Sequence, residues 1–328
     1  MNSSDNFMNH YSMEPNVAKN LSHSTITVPM MESITPRWLL TFLPWVSVDA
    51  GIYRVNHVKK NYDSEINRME NPEMLPLMSL NNLSHQLIPQ TFPDYEEKPN
   101  EYTLSVIQTI LRMNSHVTDI FNSPLNQKEQ EMRLTIEAMK EREEWELIND
   151  ENLGLLHSVS PRMKVASRYG VPTPDDMDEL LTRVWKKPSF FLAHPRAIAA
   201  FGRECTHRGV PPTTINIYGS PFLTWRGVPI VPCDKLLIDG KSCNMAPAGK
   251  TNILLMRVGE REQGVVGLHQ PGIPDEGTIP SLSVKFTGID NQGIASYVMS
   301  LYFSTAVLTE DALGMLENVE VGYYYDYT

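Results

Sequence analysis

The stretch ITPRWLLTFLPWVSVDAGIYRVN, residues 34–56, is the most apolar part of the chain. From Trp38 to Trp45 it holds two tryptophans, three leucines, a phenylalanine and a proline. Three roles suit so many large apolar side chains: a membrane anchor, a strand of the protein's own core, or a surface that another chain covers. The choice among these roles decides the fold class and the function.

A membrane span fits this stretch poorly. The apolar run ends at Val46 and is interrupted by Pro44, so it covers less than half of the roughly 20 residues that cross a bilayer. The first thirty residues also lack the basic and apolar regions of a secretory signal. An interfacial helix stays open as an alternative, although the polar face rich in lysine and arginine that such helices carry is missing. We therefore expect no membrane span.

Composition narrows the class of protein. The chain has 328 residues, 24 prolines and a net charge of −11, which indicates a sizeable core built from many short elements. Its acidity and the absence of any lysine or arginine run argue against a nucleic-acid partner. The odd number and wide spacing of Cys205, Cys233 and Cys243 are typical of reduced thiols in a cytoplasmic protein.

The first half of the chain predicts extended segments followed by a long helix. Residues 1–33, rich in Asn, Ser and Met, lack periodicity and predict a tail that orders, if at all, on a neighbour. The proline-rich residues 51–101 carry β-like runs at both ends, YRVNHVK and DYEEKPNEYTLSV, which predict a hairpin projecting onto another subunit.

The long helix is predicted over residues 123–150, SPLNQKEQEMRLTIEAMKEREEWELIND, with Ser123 as N-cap and Pro124 at its first position. Three i,i+4 pairs of opposite charge are expected on its solvated side: Glu129–Arg133, Lys140–Glu144 and Arg142–Glu146. We expect the acidic run of this helix to form a solvated face.

Beyond residue 165, short helices alternate with strands. Residues 173–186 predict a capped helix, and residues 195–209 predict a second helix that ends at Gly209. Strands are predicted for the apolar runs PSFFLAHP, TTINIYG, PFLTWRGVPIVP, NILLMRVG, GVVGLHQ, SLSVKF and SYVMSLYFSTAVL. This pattern predicts an α+β fold with a mixed or antiparallel sheet.

No string in the chain carries a complete catalytic or binding motif. APAGKTN, residues 246–252, ends like a phosphate-binding loop, but Asn244 stands where that motif needs its first glycine, and a strand follows instead of a helix. Cys205 and His207 lack the paired spacing of closed zinc sites. Glu143 and Glu144 are neighbours pointing to different sides of the helix, so they form no acid–base pair. We expect no catalytic, cofactor or metal site.

Five long blocks, in the expected order, resemble a family 2A encapsulin shell protein. They are TPRWLLTFLPWVSVDAGIYRVN, NQKEQEMRLTIEAMKEREEWELIND, FFLAHPRAIAAFGRECTHRGVPP, GVPIVPCDKL and AGKTNILLMRVGEREQGVVGLHQPG. The resemblance covers essentially Ile34 to the C-terminus.

The resemblance implies the fold of tailed-phage major capsid proteins. The segments that it implies are an N-terminal arm (1–47), an extended loop with flanking strands (48–110), a peripheral domain with a long spine helix (111–165), an axial domain (166–290) and a C-terminal return into the body (291–328).

The same resemblance implies two sets of contact residues. The intersubunit contact of the arm is expected at Trp38, Leu39, Leu40, Phe42, Leu43, Pro44 and Trp45, because large apolar side chains contribute most to such seams. The five-fold pore is expected to be lined by His207, Arg208, Lys241, Ser242 and Asn244, which lie in polar loops.

The implied function is structural. The resemblance implies an icosahedral cytoplasmic shell around a cargo enzyme. The shell is expected to hold about sixty copies. That cargo is expected to be a cysteine desulfurase of sulfur metabolism or storage, held through a disordered targeting segment. Pyridoxal phosphate is expected only in the cargo, and no cofactor in the shell protein.

Three other functions remain open from the sequence. A phage-type capsid protein would package DNA, which the acidic charge and short N-terminal segment disfavour. A membrane-peripheral protein would use Trp38 and Trp45 as its anchor. An enzyme with an unrecognised site has only the incomplete APAGKTN string in its favour.

Overall fold

The computed structural model describes residues 35–49, 51–57, 95–96, 98–114, 127–239, 249–271 and 281–324. Contacts divide the chain into two compact units, Val48–Thr103 and a larger unit of Met1–Ser47 with Leu104–Thr328. The predicted helix start at Ser123 and the predicted pore residues Lys241, Ser242 and Asn244 lie outside the described residues. Among the described helices, none is long and apolar enough to cross a membrane.

The described strands, in chain order, are β1 (Trp45–Ser47), β2 (Ile52–Val55), β3 (Asn100–Thr103), β4 (Ser105–Asn114), β5 (Lys164–Ala166), β6 (Phe190–Ala193), β7 (Thr213–Ile217), β8 (Ser220–Trp225), β9 (Val228–Pro232), β10 (Lys250–Met256), β11 (Val265–His269), β12 (Leu282–Ile289), β13 (Ile294–Val307) and β14 (Leu313–Glu320). The described helices are α1 (Trp38–Phe42), α2 (Gln127–Asn149), α3 (Pro174–Arg183) and α4 (Pro195–His207).

A seven-stranded sheet forms the first layer of the larger unit, in the order β5-β14-β10-β6-β9-β8-β7. The central strand β6 is apolar at all four positions and buried on both faces. β6 pairs with β9 in parallel and with β10 in antiparallel orientation, so the sheet is mixed. The α+β prediction is confirmed, and so is the prediction that a strand follows the APAGKTN string.

A five-stranded sheet forms the second layer, in the order β1-β11-β13-β12, with β4 also paired to β13. The long strand β13 organises this layer, because its first half pairs with β4 and β12 and its second half with β11. Strand β1 joins β11 in parallel, opposing Trp45 to Gly267. This pairing brings the N-terminal segment into the body of the larger unit.

Helices α3 and α4 both begin with a side-chain cap. Thr173 accepts from the amide of Asp176, whose carboxylate accepts from the amide of Thr173, so the two residues form a capping box for α3. His194 caps α4 through Nδ1, which accepts from the Arg196 amide at 3.0 Å. Both helices carry proline at their first position, where a missing amide costs nothing.

Several strands join sheets across the expected segment boundaries. Strand β12, within the expected axial segment 166–290, lies in the sheet of β4 and β13. Strand β14, within the expected return 291–328, lies inside the seven-stranded sheet between β5 and β10. Strand β4 belongs to the larger unit, although the expected loop ran to residue 110. Non-local strand pairing, which residue patterns do not encode, sets this membership.

The smaller unit contains the antiparallel pair β2 and β3, with Ile52 opposite Thr103. Arg54 and Glu101 face each other across this pair, with Nε and Oε1 2.9 Å apart and both side chains exposed. The predicted pairing of the two β-like runs is confirmed for these strands. Residues 58–94, which follow β2, lie outside the described part of the chain.

Candidate functional site

The arm segment, Thr35–Ser47, docks on the larger unit through α1 and β1. Leu39 and Leu43 are one helical turn apart, so both project from the same face, and both are buried in the chain's own core, 0% and 2% exposed. Burying each leucine contributes roughly 1.5–3 kcal/mol. A five-residue helix is not stable by itself, so this burial is what holds α1 in place.

Three glutamates of α2, called the acidic row, receive the start of the arm segment. Glu137, Glu141 and Glu144 lie at i, i+4 and i+7, hence on one face of the helix. The backbone amide and the hydroxyl of Thr35 both donate to Glu141 at 2.9 Å. The Arg37 guanidinium forms ion pairs with Glu137 and Glu141.

The acidic row takes the place of a helix cap. Arg37, at the N-cap of α1, has left-handed backbone angles and provides no side-chain cap, which is unfavourable by about 1 kcal/mol for a residue with a side chain. The Leu39 amide, one of the amides that a helix start leaves without an internal partner, donates instead to Oε1 of Glu144 at 3.2 Å. Glu144 thereby supplies from another helix what the arm segment lacks locally.

Two expectations about this helix are wrong. Its acidic run is not a solvated face, because Glu143 and Glu144 are each only 1% exposed. Lys140 pairs with Glu143 at 2.8 Å rather than with Glu144. The expected Arg142–Glu146 pair is confirmed, at 2.8 Å. The partners of the acidic row lie about a hundred residues away in sequence, and the only local sign of them is its helical spacing.

Lys235, in the loop after β9, ties the acidic row to the seven-stranded sheet. Its ammonium lies 2.7 Å from Glu141 and 2.8 Å from Asp234, and its side chain is only 12% exposed. Its backbone carbonyl accepts from the Asn149 side chain near the end of α2 at 2.9 Å. Although burial opposes protonation, the bonds to Asp234 and Glu141 raise the pKa of Lys235. Sequence reasoning missed this residue.

Three possible metal ligands meet beside Lys235. One donor atom each from Glu144, Cys233 and Asp234 lies within 4.8 Å of the others. A thiol binds metal as thiolate, and burial together with the charge of Glu144 raises the pKa of Cys233 far above its usual value. Because a protonated thiol is a poor metal ligand, we assign Asp234 to its ion pair with Lys235 and Glu144 to its contact with the Leu39 amide.

Burial leaves Glu144 poised to titrate near neutral pH. Desolvation raises the pKa of Glu144 to about 7, against the lowering effects of Lys235 and of the Leu39 amide. Desolvation likewise raises the pKa of Glu143, opposed by Lys140. The place where the arm segment meets α2 therefore contains two carboxyl groups that resist ionisation.

Five rings, called the aromatic cluster, hold the other side of the arm segment: Trp38, Phe42, Phe190, Tyr218 and Phe222. The Trp38 and Phe222 rings meet edge to face with centroids 5.1 Å apart, and Phe42 lies 5.4 Å from Phe190. Phe42 also lies 5.8 Å from Tyr218, at the turn between β7 and β8. Such pairs contribute about 0.5–1.5 kcal/mol each beyond their buried area.

Trp45 closes the arm segment over a glycine. Its indole nitrogen donates to the Leu40 carbonyl at 3.0 Å, which folds the segment back on itself. The Trp45 ring lies so close to Gly267 that a Cβ there would meet ring carbons at 2.7 Å. The Gly267 amide donates to the Pro44 carbonyl at 2.9 Å, which continues the pairing of β1 with β11.

The structure divides the seven predicted arm contacts into two groups. Leu39 and Leu43 are already covered by their own chain. Trp38, Leu40, Phe42, Pro44 and Trp45 are half-buried, so each keeps surface that a neighbouring subunit could contact. Their role between subunits stays a prediction.

The described pore candidates lie at the end of α4. His207 ends the helix and Arg208 follows, and both are exposed. The Arg208 guanidinium bonds Glu204 at 2.5 Å and lies 3.5 Å from Asp175 of α3, which orients it along the surface. Their role as a pore lining stays a prediction.

Comparison with known proteins agrees with the resemblance seen in the sequence. The family model described as the SrpI-like type 2A encapsulin shell protein matches residues 62–323. The chain belongs to this family. It is 50% identical over 310 residues to the type 2A encapsulin shell protein SrpI of Synechococcus elongatus, with 94% of each chain covered.

Solved structures show the same fold. The cryo-EM structure of the holo-SrpI encapsulin complex from Synechococcus elongatus matches with a TM-score of 0.78 and 48% identity, covering 96% of this chain and 99% of that chain. The capsid of a native GTA particle matches with a TM-score of 0.57 at 12% identity, covering 97% of this chain and 99% of that chain. The predicted capsid fold of this encapsulin is therefore confirmed.

Replacing Gly267 by alanine tests the packing of the Trp45 ring against the Gly267 backbone. The added methyl group collides with the indole, so we expect Gly267→Ala to lower the thermal unfolding midpoint and to increase proteolysis within the arm segment. Gly202→Ala is the matched control, because a Cβ there meets nothing within 4 Å in the middle of α4. The control should be neutral or slightly stabilising, and equal effects of the two changes would contradict the role of Trp45.

Titration of Glu144 predicts a pH-dependent arm anchor. Its pKa is raised from 4.5 to about 7 in the folded state, so its stabilising contribution is complete below pH 4.5 and is lost as the pH rises through 7. We expect the unfolding midpoint to be lower at pH 8.5 than at pH 5.5. The corresponding loss in the free energy of unfolding is on the order of 2 kcal/mol.

Glu144→Gln keeps the acceptor oxygen for the Leu39 amide but cannot ionise. This variant should therefore lose part of the pH dependence and be more stable than wild type at pH 8.5. The exposed Glu151→Gln serves as the control and should keep the wild-type profile. Calorimetry at three pH values measures this, and identical profiles for wild type and Glu144→Gln would rule out the anchor as its origin.

Proposed function

We propose that this protein is the structural subunit of an icosahedral shell that encloses a cargo enzyme in the cytoplasm. The observation that carries the proposal is the match in sequence and fold to SrpI over nearly the whole of both chains. The match to SrpI covers 94% of this chain and 94% of the relative. A closed shell is held together by the same contacts repeated between identical subunits.

The arm anchor gives the subunit a prepared geometry for assembly. Glu141 binds both Thr35 and Lys235, so the position of Thr35 against α2 is set within the chain itself. Preorganisation of this kind reduces the ordering cost at the moment of association. The half-buried side chains Trp38, Leu40 and Trp45 then present apolar surface at that point.

For the cargo, we infer a cysteine desulfurase that carries pyridoxal phosphate and docks through a disordered targeting segment. The inference is supported by family membership and by the solved relative, whose structure is that of a holo-SrpI encapsulin complex. The shell of about sixty copies contributes containment, and the chemistry belongs to the cargo. The net charge of −11 on each copy favours protein over nucleic acid as the enclosed material.

The chain expressed alone tests shell formation. We expect closed particles of uniform diameter, holding about sixty copies, by light scattering and electron microscopy. The absorbance spectrum of nuclease-treated particles should be that of protein alone. A monomer or small oligomer would contradict the shell, whereas protected DNA inside closed particles would support the alternative of a phage-type capsid.

Coexpression tests the cargo. A cysteine desulfurase from the same organism should copurify with closed particles and bring the visible absorbance of pyridoxal phosphate with it. The same enzyme without its disordered segment is the matched control and should remain outside. Equal copurification of both forms would rule out docking through that segment, and no copurification of either would remove this enzyme as the cargo.

A further inference from the structure

Strand β7 lies at the open edge of the seven-stranded sheet. Within the described residues it pairs only with β8, and its other edge has no partner. Four of its five residues are exposed and only Ile217 is half-buried, so both faces of the strand meet solvent. Among the described residues, this strand gains little packing from its own chain.

The backbone of β7 presents paired donors and acceptors along this edge. A two-residue turn, Tyr218–Gly219, has positive φ at both positions (50° and 78°), as a type I′ hairpin turn requires. The turn makes Ile217 opposite Ser220 a hydrogen-bonded pair, and such pairs alternate along the strand. Thr214 and Asn216 therefore direct their amides and carbonyls away from β8.

A proline on the neighbouring strand agrees with this register. Pro221 lies opposite Asn216, at a position where the inner ladder needs no amide. The side chains of Thr213 and Thr224, in a hydrogen-bonded pair, also bond each other at 2.6 Å. The inner edge of β7 is thus satisfied without Thr214 or Asn216.

The outer edge lacks the features that keep free strands apart. Its sequence, TTINI, contains no charged residue and no proline, and four of its five residues are β-branched. Ile215 is 45% exposed and Tyr218, beside the strand end, is 72% exposed. The opposite edge strand, β5, differs because it is three residues long and carries Lys164, which pairs with Glu317 at 3.2 Å.

We propose that the outer edge of β7 is a contact between subunits, at which an extended segment of a second copy adds as a further strand. The inference rests on the proposed shell function and identifies one seam of that shell. A second copy is the occupant that the charge favours, since an uncharged strand is where copies of charge −11 can approach closely.

Proline substitution at one outward amide tests the contact. Asn216→Pro removes an amide that β8 does not use, so the hairpin should still form. We expect it to raise the subunit concentration needed for assembly by about ten-fold or more, as for a lost intersubunit hydrogen bond and a steric block. Asn216→Val, which keeps the amide, is the matched control and should assemble like wild type.

Amide hydrogen exchange on the wild type tests the same contact and does not depend on the folding of Asn216→Pro. The amides of Thr214 and Asn216 should be protected in assembled particles and exchange freely in dissociated subunits. Equal exchange in the two states, or normal assembly of Asn216→Pro, would overturn the inference while leaving the shell intact. Protection seen only in cargo-loaded particles would also overturn it, because the occupant would then be cargo. Failure of wild type to assemble would instead count against the proposed function.

Discussion

The docking of the arm segment on three glutamates of α2 is the interaction that fixes the arm segment in the larger unit. The acidic row meets a guanidinium, a hydroxyl and two backbone amides of the arm segment, and one ammonium from the loop after β9. Three parts of the chain that are far apart in sequence thereby share one network. Because its carboxylates are largely buried, these bonds act in a medium where charge interactions are stronger than in water.

Apolar packing and charge hold the arm segment in different ways. The aromatic cluster, which begins at Trp38, and the indole of Trp45 hold the segment through area and shape, which salt and pH hardly change. The acidic row holds its N-terminal end through bonds that depend on protonation and ionic strength. A subunit built this way can keep β1 in its sheet while the start of the arm segment responds to the medium.

Local sequence patterns predicted the helices and strands themselves better than they predicted which elements pack against one another. The cap at Thr173, the apolar strand FFLA and the unfilled phosphate-loop motif all follow from residues within a few positions of one another. The burial of Glu144 does not, because its partner is the amide of Leu39, 105 positions away. The seat of Trp45 on Gly267 and the position of β12 arise from the same kind of distant pairing. The family resemblance supplied the capsid fold, which no single pattern contained.

The position of β14 in its sheet has a consequence for the order of events during synthesis. This strand is the last described one in the chain, yet it lies between β5 and β10, inside the seven-stranded sheet rather than at its edge. Until it has been made, β5 lacks its partner and β10 keeps an open, apolar edge. A nascent chain therefore cannot complete its larger unit while β14 is still to be added. For a protein that meets many copies of itself, this delay separates the finishing of each monomer from its encounter with the growing lattice.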